Sequence, residues 1–141
     1  AIRPGDRVNA FDIWLYTVHA RMKRRGYSVS GEYYFRWLRN IEGTTGGEFN
    51  SLFDHGFFAQ AAAFVIPETL EVFVRGSQVT GEFGTGDAGA VGANWYLFNS
   101  RNARATFELT TVDDSPAQQS RTGVVAGGCG PLLRAQLWTF F

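Results

Sequence analysis

The sequence predicts an all-β fold, an antiparallel up-and-down meander of about seven strands that forms a segment of a transmembrane β-barrel. Three observations support this prediction. Apolar and polar residues alternate over many stretches, so each predicted strand has two faces in two different environments. Aromatic residues make up 16% of the 141 residues and glycine occurs 17 times, a composition that favours strands and turns. Long and short connections alternate along the chain, as they do in barrels with two unlike ends.

The first three strands are predicted at about 10–22, 27–39 and 56–66. The second of them alternates most clearly, because its odd positions from Tyr27 to Trp37 are mostly apolar or aromatic while its even positions from Ser28 to Arg36 are mostly polar. Such alternation over so many residues is typical of a strand with different surroundings on its two sides.

The last four strands are predicted at about 70–78, 89–98, 103–111 and 133–141 from the same alternation. The connections at 24–26, 67–69 and 99–102 are predicted to be tight. Those at 40–53, 79–88 and 112–131 are predicted to be longer loops. In a meander this order places every short turn at one end of the sheet and every long loop at the other end.

The charge balance and the single cysteine exclude several classes of protein. Lys and Arg total 13 and Asp and Glu also total 13, so no net charge argues for a nucleic-acid partner. Cys129 is the only cysteine, which excludes an internal disulfide framework. His19 and His55 are far apart, with no third ligand at metal spacing. The sequence therefore predicts no enzyme, no metal and no cofactor.

The polar face of the predicted strands would line a water-filled lumen. Five arginines recur on this face and would form an anion-attracting wall, since rings of basic side chains select anions in pores: Arg21, Arg36, Arg75, Arg104 and Arg134. The other lumen-facing residues are His19, Glu32, Gln60, Glu71, Asn94, Glu108 and Gln136. The alternative is that arginine and glutamate pair across strands, for example Arg75 with Glu108, and simply line a weakly selective channel.

The chain ends on a strand pattern with Leu137, Thr139 and Phe141 at alternate positions. This pattern resembles the C-terminal signature that the assembly machinery reads in bacterial outer-membrane barrels. Three further segments resemble the phosphate-selective porin O and P family in their order and spacing: FDHGFFAQAAAFVIP at 53–67, LEVFVRGSQV at 70–79 and GANWYL at 92–97. The long last loop departs from the better-known members, so the resemblance is to a divergent branch.

The resemblance implies a sixteen-stranded outer-membrane porin, usually a trimer, surrounded by outer-membrane lipid and passing small anions or other solutes. Seven strands cannot close such a barrel, so residues 1–141 would be the C-terminal part of one porin domain, with the missing strands before Ala1. Two other hypotheses stay open. One is a soluble or surface β-sheet binding module with its aromatic face on a core, and the other is an enzyme or adhesion barrel that uses its external loops.

Overall fold

The chain forms one seven-stranded antiparallel sheet in which every strand pairs with its neighbours in sequence, which confirms the predicted fold class. The computed structural model describes residues 8–43, 51–82, 84–100, 102–115 and 127–140. The strands are β1 (Val8–Arg24), β2 (Tyr27–Gly43), β3 (Ser51–Ile66), β4 (Leu70–Gly81), β5 (Gly84–Tyr96), β6 (Ala103–Asp113) and β7 (Gly130–Thr139). A short 3-10 helix, Leu97–Asn99, follows β5.

The prediction of a long loop at 79–88 is wrong. Strands β4 and β5 continue to Gly81 and Gly84, which pair with each other across a two-residue turn. The outward residues Gln78, Thr80 and Asp87 in this hairpin are polar, so no alternation marks it as strand. Its backbone ladder continues although these outward side chains are polar.

The strict alternation of long and short connections is therefore wrong as well. The β2–β3 and β6–β7 connections are long, at 44–50 and 114–129, and we call their end of the sheet the long-loop end. The opposite end, called here the short-turn end, has tight connections at 25–26 and 67–69 and a six-residue connection at 97–102. The predicted strand at 89–98 ends at Tyr96, because Phe98 adopts a left-handed backbone conformation with φ of 57°.

The register assigns the two faces as the alternation predicts, and the apolar face is the exposed one. Val18, Val74 and Leu133 lie on it and are 66%, 56% and 78% exposed. The buried residues within the strands lie instead on the polar face: Gly56, Ala62, Phe73, Gly86, Ala90, Asn94 and Glu108. The sheet thus crowds its polar side chains together and leaves its apolar side chains uncovered, the reverse of a sheet packed on a soluble core.

Two glycines on the polar face let large rings lie flat on the sheet. The ring of Phe73 covers Gly92, and a methyl group on Gly92 would also meet the backbone oxygen of Phe107 at 2.5 Å. Tyr34 covers Gly56 in the same way. Aromatic rings over strand glycines are a recognised way to pin the register of a sheet.

We expect Gly92→Ala to lower the free energy of unfolding by about 1–3 kcal/mol, because Phe73 and a neighbouring strand must move to admit the methyl group. Gly76→Ala on the apolar face is the matched control, since nothing lies within 4 Å of its added methyl group. Urea unfolding followed by tryptophan fluorescence measures both variants. Equal losses of stability in the two variants would contradict the role of the Phe73–Gly92 contact.

Candidate functional site: a polar wall and an outward apolar band

The structure brings all the predicted lumen residues to one face of the sheet, the polar face. Arg21 pairs with Ser30, Ser30 with Gln60, and Gln60 with Arg75, so one line of paired positions joins four strands on this face. The register places the remaining predicted residues on the polar face as well: His19, Glu32, Arg36, Glu71, Asn94, Arg104, Glu108, Arg134 and Gln136.

Glu108 is the centre of a three-strand charge cluster. Its carboxylate is 3% exposed and accepts hydrogen bonds from Arg75 Nη2 at 2.6 Å and from Arg134 Nη2 at 2.7 Å. The Thr110 hydroxyl donates to the same oxygen, Oε1, at 2.8 Å. Because one carboxylate serves two guanidinium groups, the cluster carries a net charge of about +1, and its three donors converge on a single acceptor oxygen.

A second ion pair joins β2 to β3. Arg36 Nε donates to Asp54 Oδ2 at 2.9 Å, and Arg36 Nη2 contacts the same oxygen. Asp54 is not among the predicted site residues, because the predicted third strand begins at residue 56, two residues after it. The longer observed strand brings Asp54 directly opposite Arg36.

Hydrogen bonds without a basic partner link β4, β5 and β6 nearer the short-turn end. Asn94 Nδ2 donates to Glu71 Oε2 at 2.9 Å, and Thr106 Oγ1 donates to Asn94 Oδ1 at 2.8 Å. The Tyr96 hydroxyl donates to Glu71 Oε2 at 3.3 Å. The Nε of Arg104 is buried and lacks a hydrogen-bond partner among the described residues.

These contacts decide between the two interpretations of the arginines. Three of the five, Arg36, Arg75 and Arg134, are ion-paired with carboxylates on the same face. Arg21 and Arg104 form no ion pair with a carboxylate of the described chain. The pairing of arginine with acidic residues across strands, which the sequence analysis left open, is therefore present for most of the wall.

The outward apolar residues form a band across the other face, called here the apolar band. One row of paired residues is apolar in all seven strands: Met22, Val29, Ala61, Val74, Val91, Leu109 and Leu133. On β1 the band extends from this row toward the long-loop end as far as Trp14. On β7 it extends from this row in the opposite direction, through Leu137 to Thr139.

The apolar band therefore crosses the strands obliquely. Between β1 and β7 the centre of the band moves by about six to seven residues along the strands, which is a distance of about 20–24 Å. Across the sheet, the six spacings between these two strands total about 29 Å. If the band lies parallel to the plane of a membrane, the strands must tilt by about 35–40° from the membrane normal. On β1 the band covers Trp14–Met22, which corresponds to a height of about 20–25 Å after this tilt.

The same tilt sorts the polar face into levels. From β1 to β7, a line parallel to the apolar band shifts toward the short-turn end by about one residue per strand relative to the rows of paired residues. Glu32, Arg75 and Glu108 then share one level near the middle of the band. Arg36 lies near its long-loop edge, and a third set near its short-turn edge comprises Arg21, Glu71 and Arg104.

Aromatic side chains concentrate at the long-loop edge of the band on β1, β2 and β3. Trp37 lies 5.9 Å from Tyr16 and 4.8 Å from Phe53, measured between ring centroids. Tyr33 lies beside this group and shares a hydrogen bond of 2.8 Å with His55 Nδ1. Amphipathic rings are enriched where a membrane-spanning segment meets the headgroup region.

The predicted assembly signal lies partly within the described residues. Leu137 and Thr139 lie on the apolar face of β7, opposite Ala105 and Ala103. Phe141, the third residue of that signal, lies outside the described residues.

Some kinds of site are not found in the part of the chain that the structure describes. There, no group of three His, Cys, Asp or Glu residues is placed to hold a metal ion. In the same residues, no helix is long and apolar enough to cross a membrane.

The comparisons with known proteins give no relative. The chain matches no protein-family model, no curated protein and no solved structure. The resemblance of residues 53–67, 70–79 and 92–97 to a porin family therefore stays a prediction.

Proposed function

We propose that this sheet is a segment of the wall of an outer-membrane porin that passes small hydrophilic solutes or ions by passive diffusion. The observation that carries the proposal is the oblique apolar band on the exposed face. Its derived tilt of about 35–40° and height of about 20–25 Å agree with transmembrane barrels, whose strands tilt by about 35–45° around an apolar band about 25 Å tall. A sheet packed on a soluble core has no need of such a slanted band.

The polar face supports the same proposal. It carries an ion pair or a hydrogen-bonded amide at each level of the band, so it suits contact with water on the side away from lipid. Backbone groups within the band are paired along the ladders of all the inner strands, as a lipid environment requires.

The two edge strands indicate what completes the pore. In the described sheet, β1 and β7 pair on one side only, and they run in the same direction because six antiparallel steps separate them. Joining β7 to β1 would create a parallel seam. A wholly antiparallel barrel therefore needs an odd number of additional strands, and we propose that a further segment of the same porin supplies them.

The ion pairs favour a weakly selective pore over a strongly anion-selective one. Arg36, Arg75 and Arg134 each contact a carboxylate, which offsets much of the positive potential that the arginines would otherwise create. Positive charge remains on the cluster in which Arg75 and Arg134 share Glu108, and toward the short-turn edge on Arg21 and Arg104. Ion selectivity, the transported solute and a trimeric assembly stay proposals.

We expect the intact protein, refolded in detergent and placed in a planar bilayer, to give stepwise conductance. Under a potassium chloride gradient, the reversal potential should show only a small preference for chloride, because most of the wall arginines are paired. A strong anion preference would contradict the inference that the ion pairs offset much of the positive potential of the arginines. A water-soluble protein without conductance would overturn the porin proposal and favour a binding module.

A further inference from the structure

A half-open cavity of about 960 Å³ lies at the short-turn end of the polar face. Its lining includes Lys23, Arg25, Phe64, Glu71 and Tyr96. Phe64 N donates to Gly26 O at 2.9 Å and Tyr96 N donates to Thr69 O at 2.8 Å, so the neighbouring strands hold both turns in place. Its volume lies in the range of small-molecule sites, about 300–1,000 Å³.

Glu71 gives the cavity a negative pole. Its Oε2 accepts hydrogen bonds from the Asn94 amide and the Tyr96 hydroxyl, which are both uncharged. In the described part of the chain, no Lys or Arg nitrogen lies within ion-pair distance of this carboxylate. A carboxylate can accept about four hydrogen bonds, so Glu71 retains capacity for a cationic group.

Lys23 and Arg25 give the same cavity a positive pole. Both are exposed, and neither forms an ion pair with any described carboxylate. The lining also includes Arg24 and Glu68, and none of its acidic and basic side chains forms an ion pair in the described part of the chain, so the cavity presents both signs of charge.

Phe64 and Tyr96 provide the apolar part of the lining. Their ring centroids lie 5.6 Å apart with an interplanar angle of 33°. Phe64 is on the polar face beside Glu71, its register neighbour on β4. A ligand that reaches Glu71 can therefore also contact an aromatic surface.

We propose that this cavity binds a zwitterionic solute of the amino-acid class with an apolar side chain. The ammonium group contacts Glu71, the carboxylate contacts Lys23, and the side chain packs against Phe64. A simple anion would leave Glu71 unpaired, and a simple cation would leave the basic pole unpaired. A neutral sugar would match neither pole, so the two separated charges favour the zwitterion.

This inference rests on the proposed function, because the cavity becomes the short-turn mouth of the pore. The test uses single channels of the intact protein with L-phenylalanine, phenylacetate, phenethylamine and glucose, each at the same concentration. Phenylalanine is expected to interrupt the current most effectively. Stronger block by phenylacetate would indicate an anion site and stronger block by glucose a sugar site, and either result would overturn the proposal.

The Glu71→Gln variant removes the negative pole but keeps the side-chain shape. We expect it to weaken phenylalanine binding about tenfold or more, since one charge-assisted contact is lost. Lys23→Gln should weaken binding to a similar extent. The control is Asp87→Asn, which removes a carboxylate from the opposite face of β5 and should leave binding unchanged.

Calorimetric titration of the refolded protein with phenylalanine measures binding without any current. Open channels together with no block and no heat of binding would overturn the zwitterion site and leave the porin intact. Phenylalanine binding that Glu71→Gln does not weaken would also overturn it. The absence of channels would instead count against the porin proposal, and the titration would still decide whether the cavity binds phenylalanine.

Discussion

In the proposed porin, replacing Val74 with arginine is expected to destabilise the membrane-inserted state more than any other single substitution on the apolar face of β4. Val74 is 56% exposed and, after correction for the tilt, lies near the middle of the apolar band. An arginine at the midplane of a transmembrane barrel costs about 2–4 kcal/mol.

Gln78→Arg is the matched control for this substitution. Gln78 lies on the same strand and face, but it falls at the long-loop edge of the band, where an arginine costs about 0–1 kcal/mol. Urea titrations in lipid vesicles measure both variants. Equal effects at Val74 and Gln78 would show that the band has no membrane depth profile.

Replacing Glu108 with glutamine is expected to produce the largest change in ion selectivity. The substitution removes the carboxylate that Arg75 and Arg134 share, at the middle level of the wall. Two unpaired guanidinium groups would then face the proposed lumen, and the proposed pore should become clearly anion-preferring. We also expect a loss of about 1–3 kcal/mol in the free energy of unfolding, because Arg75 and Arg134 lose their charged hydrogen bonds to the buried side chain at position 108.

Glu32→Gln distinguishes the loss of the ion pairs from a change of net charge. Glu32 lies at nearly the same level and loses the same charge, but the structure gives it no ion-pair partner among the described residues. It should shift the reversal potential less and leave the stability almost unchanged. A reversal potential equal to that of Glu108→Gln would show that net charge alone sets selectivity.

The sequence predicts the strands well where the two faces of a strand differ in polarity. Residues 27–39 alternate strongly, and the observed β2 contains this whole segment. The β4–β5 hairpin could not be located in this way, because Gln78, Thr80 and Asp87 give polar positions on its outward face. Backbone pairing continues there, so alternation underestimates the strand length.

The faces of the candidate site could also be predicted, and so could Arg75 with Glu108 as one possible ion pair, but the pairs of Arg134 with Glu108 and of Arg36 with Asp54 could not. Parity alone assigns Arg75, Glu108 and Arg134 to one face. Their convergence on one carboxylate oxygen depends on the register between β4, β5, β6 and β7, which the sequence does not specify. Asp54 illustrates the same limit, since an error of a few residues in one strand boundary removed the partner of Arg36.

The oblique course of the apolar band across the strands could not be predicted from the sequence either. The sequence shows the apolar segment of each strand separately. Only the register shows that the row of paired residues that contains the apolar Val18 on β1 contains the polar Gln78 on β4 and Asp87 on β5. An upright wall would place apolar residues in the same rows throughout. The displacement between β1 and β7 therefore supports a tilted, membrane-spanning wall, while the alternation alone supports only a two-sided sheet.

The central claim is that the apolar face contacts lipid while the polar face contacts water. The most direct measurement uses nitroxide labels on single cysteines at 72–78 of β4, in the intact protein with Cys129 replaced by serine, inserted into lipid vesicles. We predict that labels at 72 and 74 contact oxygen dissolved in lipid, while labels at 73 and 75 contact a water-soluble nickel reagent. The depth of greatest oxygen contact should lie near Val18 on β1, near Val74 on β4 and between 135 and 137 on β7. Labels at 72 and 74 that are shielded from both reagents would contradict the account, because they would show an apolar face buried against protein.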